Sequence, residues 1–231
     1  MPDVLQPAYV LHSRRFRESS LIVELLTRDH GRQGVLAKGA LGGKGGRQSL
    51  LQPFVPLLVD WRGRGELPTL TTLEAAGAGI QPSGRALYCG LYVNELVLRF
   101  SERGDPHSEL FPAYLQCMNA LLRAGEDNAE LEPVLRRFEL QLLDEMGLAM
   151  QLQEDQQGQP LQPGERYHYE IHAGPRIAMA SEEGVLGATL RALAAGELHD
   201  PAQRREARSL MRRVIAEHLG GQQLKSRELF R

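Results

Sequence analysis

The spacing of the apolar residues changes at residues 81–84, which read Gln-Pro-Ser-Gly. Before this point they occur in short runs separated by glycine-rich or charged turns, at residues 9–12, 21–27, 33–38, 57–61 and 67–73. After it they recur at every third or fourth position over longer stretches. Short runs bounded by turn residues predict β-strands, and the longer spacing predicts amphipathic helices. The chain is therefore neither all-helical nor all-β.

The predicted fold class is α+β, with two domains. Residues 1–80 are expected to form a five-stranded barrel, because five short strands joined by glycine-rich turns in about 75 residues are typical of the oligonucleotide/oligosaccharide-binding (OB) fold. Residues 81–231 are expected to form a mainly helical domain. An irregular insert is predicted at about residues 150–182, with one short strand near residues 167–171.

Hydropathy and cysteine content indicate the cellular compartment of the protein. No apolar run approaches the ~20 residues of a membrane span, and the first residues lack the pattern of a secretory signal. The two cysteines, Cys89 and Cys117, lie inside apolar helical patterns and are expected to be buried free thiols. We therefore predict a cytoplasmic protein without membrane contact.

The charges are segregated along the chain, although the formal net charge is only −2. Residues 12–47 carry eight Lys or Arg and three acidic residues. Residues 199–231 carry eight Lys or Arg and four acidic residues. Between them, residues 81–198 carry nine basic residues and eighteen acids. Two basic segments around an acidic middle favour a polyanionic partner, with ordinary solvated faces as the alternative.

A glycine-rich segment joins the third and fourth predicted strands. It holds five glycines with Lys44 and Arg47, follows Lys38 and contains no acid. It is not a nucleotide-binding P-loop, because that motif needs glycine at position 38 and Ser or Thr at position 45. The segment suits contact with the phosphates of a nucleic acid, and an exposed disordered loop is the alternative.

Further cations occur in the first predicted inter-strand turn and in the last long helix. Arginines beside an aromatic ring, as around Phe16, are typical of surfaces that bind single strands, although Phe16 could equally belong to the core. Trp61 is expected in the barrel wall. The predicted DNA-binding residues are Arg14, Arg15, Arg17, Lys38, Lys44, Arg47, Arg204, Arg205, Arg208, Arg212 and Arg213.

No catalytic or metal site is predicted. His168, Glu170 and His172 share one face of a short strand, but no cysteine or third histidine is near, and a structural zinc needs four ligands. Glu139 is expected to be an ordinary solvent-exposed helix residue. We therefore expect no metal, no cofactor and no enzymatic activity, and the alternative is an enzyme acting on nucleic acid.

Arg136 and Arg137 precede Phe138 on a predicted helix within the acidic region. They are either solvated helix charges or a clamp for an acidic peptide, in which a guanidinium binds a carboxylate beside an apolar pocket.

Several segments in the same order carry a family resemblance over essentially the whole chain. They read YVLHSRRFRESSLIVELLT, GRQGVLAKGA, LLQPFVPLLVDWRGRGELPTL, LYCGLYVNELVLRF, LRRFELQLL and LGGQQLKSRELFR. The chain resembles the RecO family of bacterial recombination and repair mediators, in its proteobacterial form. The resemblance implies an OB barrel and a helical C-terminal domain.

The resemblance also implies a function. It implies binding of single- and double-stranded DNA, annealing of complementary strands, and docking on the acidic tail of single-stranded DNA-binding protein (SSB) through Arg136, with Arg137 beside it. With RecR, such proteins help RecA to replace SSB. Many members carry a four-cysteine zinc module, but the corresponding insert here has no cysteine, so no zinc is expected. The alternative is a non-catalytic adaptor whose barrel binds a partner protein.

Overall fold

The computed structural model describes residues 5–42, 46–63 and 65–230, so the predicted site residue Lys44 lies outside the described part of the chain. The chain forms two compact units, Met1–Leu122 and Arg123–Arg231. The first holds a barrel, a short helix and two long helices, and the second holds the remaining helices and the insert. The predicted domain boundary at residues 80 and 81 stays a prediction.

The first unit contains the predicted barrel. Its strands are β1 (Gln6–Phe16), β2 (Ser20–Thr27), β3 (Gly31–Ala37), β4 (Leu57–Arg62) and β5 (Thr69–Ala75). They close in the order β1-β2-β3-β5-β4, with β1 pairing to β4 and a single parallel bridge between β3 and β5. Alternate residues such as Val23, Val35 and Val59 fill the interior. The OB-fold prediction is confirmed.

The connection between β3 and β4 is less irregular than expected. A short helix, α1 (Arg47–Leu50), begins directly after Gly46, whose φ of 68° is in the left-handed region that glycine adopts without strain. Leu51 then enters the barrel core, and Trp61 packs against that core from the wall as expected. Arg47 therefore starts a helix rather than lying within an open loop.

Two helices cover the outer face of β1. They are α2 (Gly84–Phe100) and α3 (Leu110–Ala124). A register shift near Leu11 bulges β1, and the buried Asn94 side chain donates a hydrogen bond of 3.2 Å to the Leu11 carbonyl. The Tyr114 hydroxyl donates to the Asn94 Oδ1 at 2.8 Å, and the ring centroids of Tyr9 and Tyr114 are 5.4 Å apart. Buried polar groups thus pair with each other where these helices meet the strand.

The second unit combines helices with a small sheet. Its elements are α4 (Asn128–Glu145), β6 (Arg166–Glu170), β7 (Gly174–Ile177), β8 (Val185–Leu186), α5 (Gly187–Ala195), α6 (Pro201–His218) and a short 3₁₀ helix (Lys225–Phe230). The insert is more ordered than expected, because β6 lies between β7 and β8 in a three-stranded sheet. Strands of four and two residues are too short for alternation to be recognised.

Arg176 holds the insert together through two carboxylates. Its Nε donates to Glu170 at 2.7 Å, and its Nη1 and Nη2 donate to the two oxygens of Glu182 at 2.8 and 2.6 Å. These hydrogen bonds lower the pKa of Glu182 to about 2 and hold the pKa of Glu170 below its usual value. The insert is thus fastened by a charge-assisted fork.

The Arg176 fork should make the second unit sensitive to acid. Because the folded-state carboxyl pKa values are depressed, the fork stabilises the protein fully above about pH 4.5 and loses its effect as the pH falls towards 2. Arg176→Met should lower the melting temperature by a few degrees at pH 7, and the difference from wild type should shrink as the pH falls below 4.5 and be small at pH 2.5. Thermal unfolding at pH 7, 4.5 and 2.5 measures this, with the exposed Arg191→Met as control. Equal melting temperatures at pH 7 would contradict it.

Two further expectations concern single features. Cys89 and Cys117 are both buried and free, as predicted. Within the described residues, no helix has the length and apolar character needed to cross a bilayer.

Candidate nucleic-acid interface

The position predicted for Arg14 and Arg15 is wrong in one respect, because both lie in β1 and only Arg17 lies in the turn. The strand pairs Arg14 with Ile22 and Arg15 with Leu21. The apolar pattern stops at Leu11, where β1 bulges, so the polar end of the strand looked like a turn. Backbone pairing with β2 nevertheless extends β1 to Phe16, so Arg14 and Arg15 project from a regular strand.

The strand register brings Lys38 to the same end of the barrel. Leu21 of β2 pairs with Arg15 on one side and with Ala37 on the other, and Lys38 follows Ala37 directly. The backbone N–H of Leu41 also donates to the Ser19 carbonyl at 2.9 Å, which fixes the start of the glycine-rich segment against the β1–β2 turn. We call Arg14, Arg15, Arg17 and Lys38 the basic rim.

The basic rim is exposed and carries uncompensated charge. All four side chains are solvent-exposed, and none forms an ion pair with any of the residues described. Glu18 lies in the same turn but does not pair with them. Two other arginines of the barrel are paired, since Arg28 contacts Asp29 at 2.9 Å and Arg32 contacts Glu24 at 3.3 Å. The basic rim therefore presents positive charge that no described carboxylate neutralises.

A groove beside β3 is a weaker candidate for binding phosphate. It has a volume of about 690 Å³ and is lined in part by Arg32, Arg103, Glu66 and Glu102. Both arginines are already paired with Glu24, Arg32 at 3.3 Å. A phosphate would have to displace a carboxylate there, whereas the basic rim offers guanidinium groups without one.

The cations of α6 divide into two groups. Arg208 and Arg204 contact the same carboxylate on α4, that of Glu132, at 2.9 and 3.8 Å, so they stabilise the packing of the two helices. Arg205, Arg212 and Arg213 are exposed on α6. Contact of this second group with DNA stays a prediction.

Arg136 and Arg137 differ sharply in environment. Arg136 is only 6% exposed, and its Nη2 donates to the Glu139 Oε1 at 2.5 Å. Its Nε and Nη1 have no hydrogen-bond partner among the described residues. Arg137 is exposed, with its guanidinium beside Gly196. Arg136 is thus a buried charge with unused donors, while Arg137 stands at the surface.

The expectation that Glu139 is solvent-exposed is wrong. Its exposure is 1%, because helical spacing places it one turn from Leu135 and Leu142 on the buried face of α4. The spacing of three residues between Arg136 and Glu139 is the signal in the sequence that points to this pair.

His168, Glu170 and His172 do not come together as a metal site. Glu170 accepts hydrogen bonds from Arg176 and Gln156, and the His172 ring packs edge-on against His218 with centroids 5.8 Å apart. Across the described residues there is no group of three or more potential ligands placed to hold a metal ion.

Comparison with protein families assigns both parts of the chain. Residues 1–78 match the model described as "Recombination protein O N terminal", and residues 81–228 match "Recombination protein O C terminal". The chain belongs to the RecO family. This confirms the resemblance seen in the sequence motifs.

The chain is similar to individual members of the RecO family over nearly the full length of both sequences. Proteins named "DNA repair protein RecO" are 49% identical in Methylococcus capsulatus, covering 99% of this chain and 93% of the relative, and 47% identical in Halorhodospira halophila, covering 98% and 96%. The Serratia proteamaculans protein of that name is 42% identical, covering 99% and 94%. As a RecO-family member, the chain has a role in DNA repair and recombination.

Proposed function

We propose that this chain is a non-catalytic repair mediator that binds single- and double-stranded DNA, anneals complementary strands and, with RecR, helps to load RecA onto SSB-coated DNA. The observation that supports this is the basic rim, in which four exposed cations lack carboxylate partners among the described residues, while Arg28 and Arg32 are paired. Family membership supports the same function, since its named relatives are DNA repair proteins.

The basic rim would bind DNA through its phosphates. Each cation that neutralises a phosphate releases a counterion, so the affinity depends steeply on salt and little on base sequence. Arg47 would extend this surface, the exposed arginines of α6 would form a second one, and Lys44, which lies outside the described residues, stays a predicted phosphate contact. Two strands neutralised by one protein repel each other less, which permits annealing without a nucleotide cofactor.

A second surface would dock the acidic SSB tail. Arg136 has two N–H groups without partners among the described residues in a buried setting, and Arg137 adds an exposed cation beside it. A carboxylate reaching this place would accept the unused donors of Arg136 in charge-assisted hydrogen bonds. Docking there would concentrate the protein where SSB-coated single strands exist.

Fluorescence anisotropy of a labelled single strand of about 30 nucleotides tests the DNA proposal. The logarithm of the binding constant should fall linearly with the logarithm of the salt concentration, by about 0.7 for each phosphate contacted. The protein should also accelerate annealing of complementary strands without ATP. If it binds SSB tail peptide but no DNA at low salt, it is a protein adaptor and the DNA proposal fails.

A further inference from the structure

We propose that Phe16 is a stacking platform for an unpaired base of single-stranded DNA, and that Arg17 covers the platform when no strand is bound. This inference rests on the proposed DNA binding at the basic rim. The cations of the basic rim can contact only phosphates. The Phe16 ring would add an apolar contact, and this contact would distinguish single strands from duplexes.

The Phe16 ring belongs to the surface rather than to the barrel core. Phe16 is the last residue of β1 and is half-buried. Its side chain is not part of the described apolar cluster that fills the barrel, whereas Trp61 packs against that cluster. The ring at the end of the strand is therefore not part of the packing that fills the barrel.

Arg17 lies over this ring. Its guanidinium carbon is 5.3 Å from the centroid of the Phe16 ring, within the range of a cation–π contact. The Arg17 side chain forms no hydrogen bond or ion pair with any described residue. The ring is therefore its one specific contact in the described structure, and no carboxylate competes for the guanidinium.

The backbone of Arg17 supports a role for this side chain. Its φ is 55°, in the left-handed region that residues with a β-carbon rarely adopt. In the turn between β1 and β2, glycine would adopt this backbone conformation without strain. An arginine here suggests that the guanidinium, rather than the turn, is what the position requires.

The neighbours of Phe16 are suited to a single strand. Arg14 lies two residues earlier on the same side of β1, about 7 Å along the strand. The β1–β2 turn is fixed to the glycine-rich segment by the hydrogen bond from Leu41 to Ser19. A base on Phe16 would thus have a cation for its phosphate on either side, from Arg14 and Arg17.

When a single strand binds, a base would replace the Arg17 guanidinium on the face of the Phe16 ring. A phosphate attracts Arg17 away from the ring, because a charged hydrogen bond is stronger than a cation–π contact at an exposed site. The uncovered ring then stacks on a base. Only an unpaired base offers a free face, since bases in a duplex are stacked on each other, so the contact favours single strands.

Two substitutions of Phe16 test the proposal. Phe16→Leu keeps an apolar side chain without a ring, and it should raise the Kd for a single strand about tenfold, since stacking of one base is worth roughly a factor of ten. The Kd for a duplex of the same length should stay within about twofold, and the salt dependence should not change. In Phe16→Trp, single-strand affinity should be retained and the added indole fluorescence should be quenched by the single strand but not by the duplex.

Several outcomes would overturn the proposal. They are an unchanged single-strand Kd in Phe16→Leu, an equal loss for single strand and duplex, or no selective quenching in Phe16→Trp. Absence of DNA binding by the unaltered protein would overturn the proposed function and this inference together. Binding by the unaltered protein with an indifferent Phe16 would overturn the inference alone.

Discussion

Replacing Arg14 and Arg15 together by glutamate should lower the affinity for a single strand roughly a hundredfold at about 50 mM salt. The two side chains are exposed, lie at the paired end of β1 and have no acidic partner among the described residues. Their full charge is therefore available to phosphates, and reversal replaces attraction by repulsion. The slope of log affinity against log salt should become shallower by about 1.4, because each of the two phosphates that is no longer neutralised accounts for about 0.7.

A charge-matched control separates the basic rim from the overall charge. Arg28→Glu with Arg191→Glu changes the net charge by the same amount, but Arg28 already pairs with Asp29 and Arg191 lies on α5. Anisotropy titrations at three salt concentrations should show a small loss of affinity for this control. An equal loss for both double variants would mean that net charge, and not the basic rim, governs binding. Thermal unfolding checks that both variants remain folded.

Arg136→Met should destabilise the protein by about 3–5 kcal/mol, because it leaves a buried carboxylate without its cationic partner. The Glu139 side chain has 0% exposure and the Arg136 side chain 8%, so neither charge can turn to water without moving α4. The double variant Arg136→Met with Glu139→Leu should recover most of the stability, since an apolar pair of similar volume is often neutral. Urea unfolding measures both, and a double variant as unstable as the single one would contradict the argument.

The same double variant separates the structural role of Arg136 from its proposed binding role. If the unused donors of Arg136 bind the SSB tail, the folded double variant Arg136→Met with Glu139→Leu should not bind the tail peptide, although its stability is restored. Arg137→Met should weaken binding less, because Arg137 is an exposed charge screened by solvent. Tail peptide binding equal to wild type in the double variant would place the docking site elsewhere.

Hydrophobic spacing was enough to predict the barrel, its strand positions and the helices that follow. It failed where backbone pairing or tertiary packing overrides local pattern. Arg14 and Arg15 have no apolar alternation, yet pairing with β2 makes them strand residues. The short strands β7 and β8 have too few residues to show a period.

The candidate site was predicted by residue type more than by geometry. Clustered cations pointed to the basic rim, but only the register through Leu21 shows that Arg15 and Lys38 share one end of the barrel. Glu139 was expected at the surface because charged residues are rarely buried, and Arg136 was expected to be either a solvated charge or a clamp for an acidic peptide. A buried ion pair depends on which helix face packs inward, which one sequence indicates only weakly.

The packing of α2 and α3 on β1 determines how this protein can be divided in the laboratory. A recombinant fragment ending at residue 80 would retain all five strands but would uncover the rings and carbonyls that Tyr114 and Asn94 now contact. Such a fragment should be poorly soluble, since a newly bared apolar face promotes self-association. A fragment ending at Leu122 keeps that cover and is the better starting point for studying the barrel in isolation.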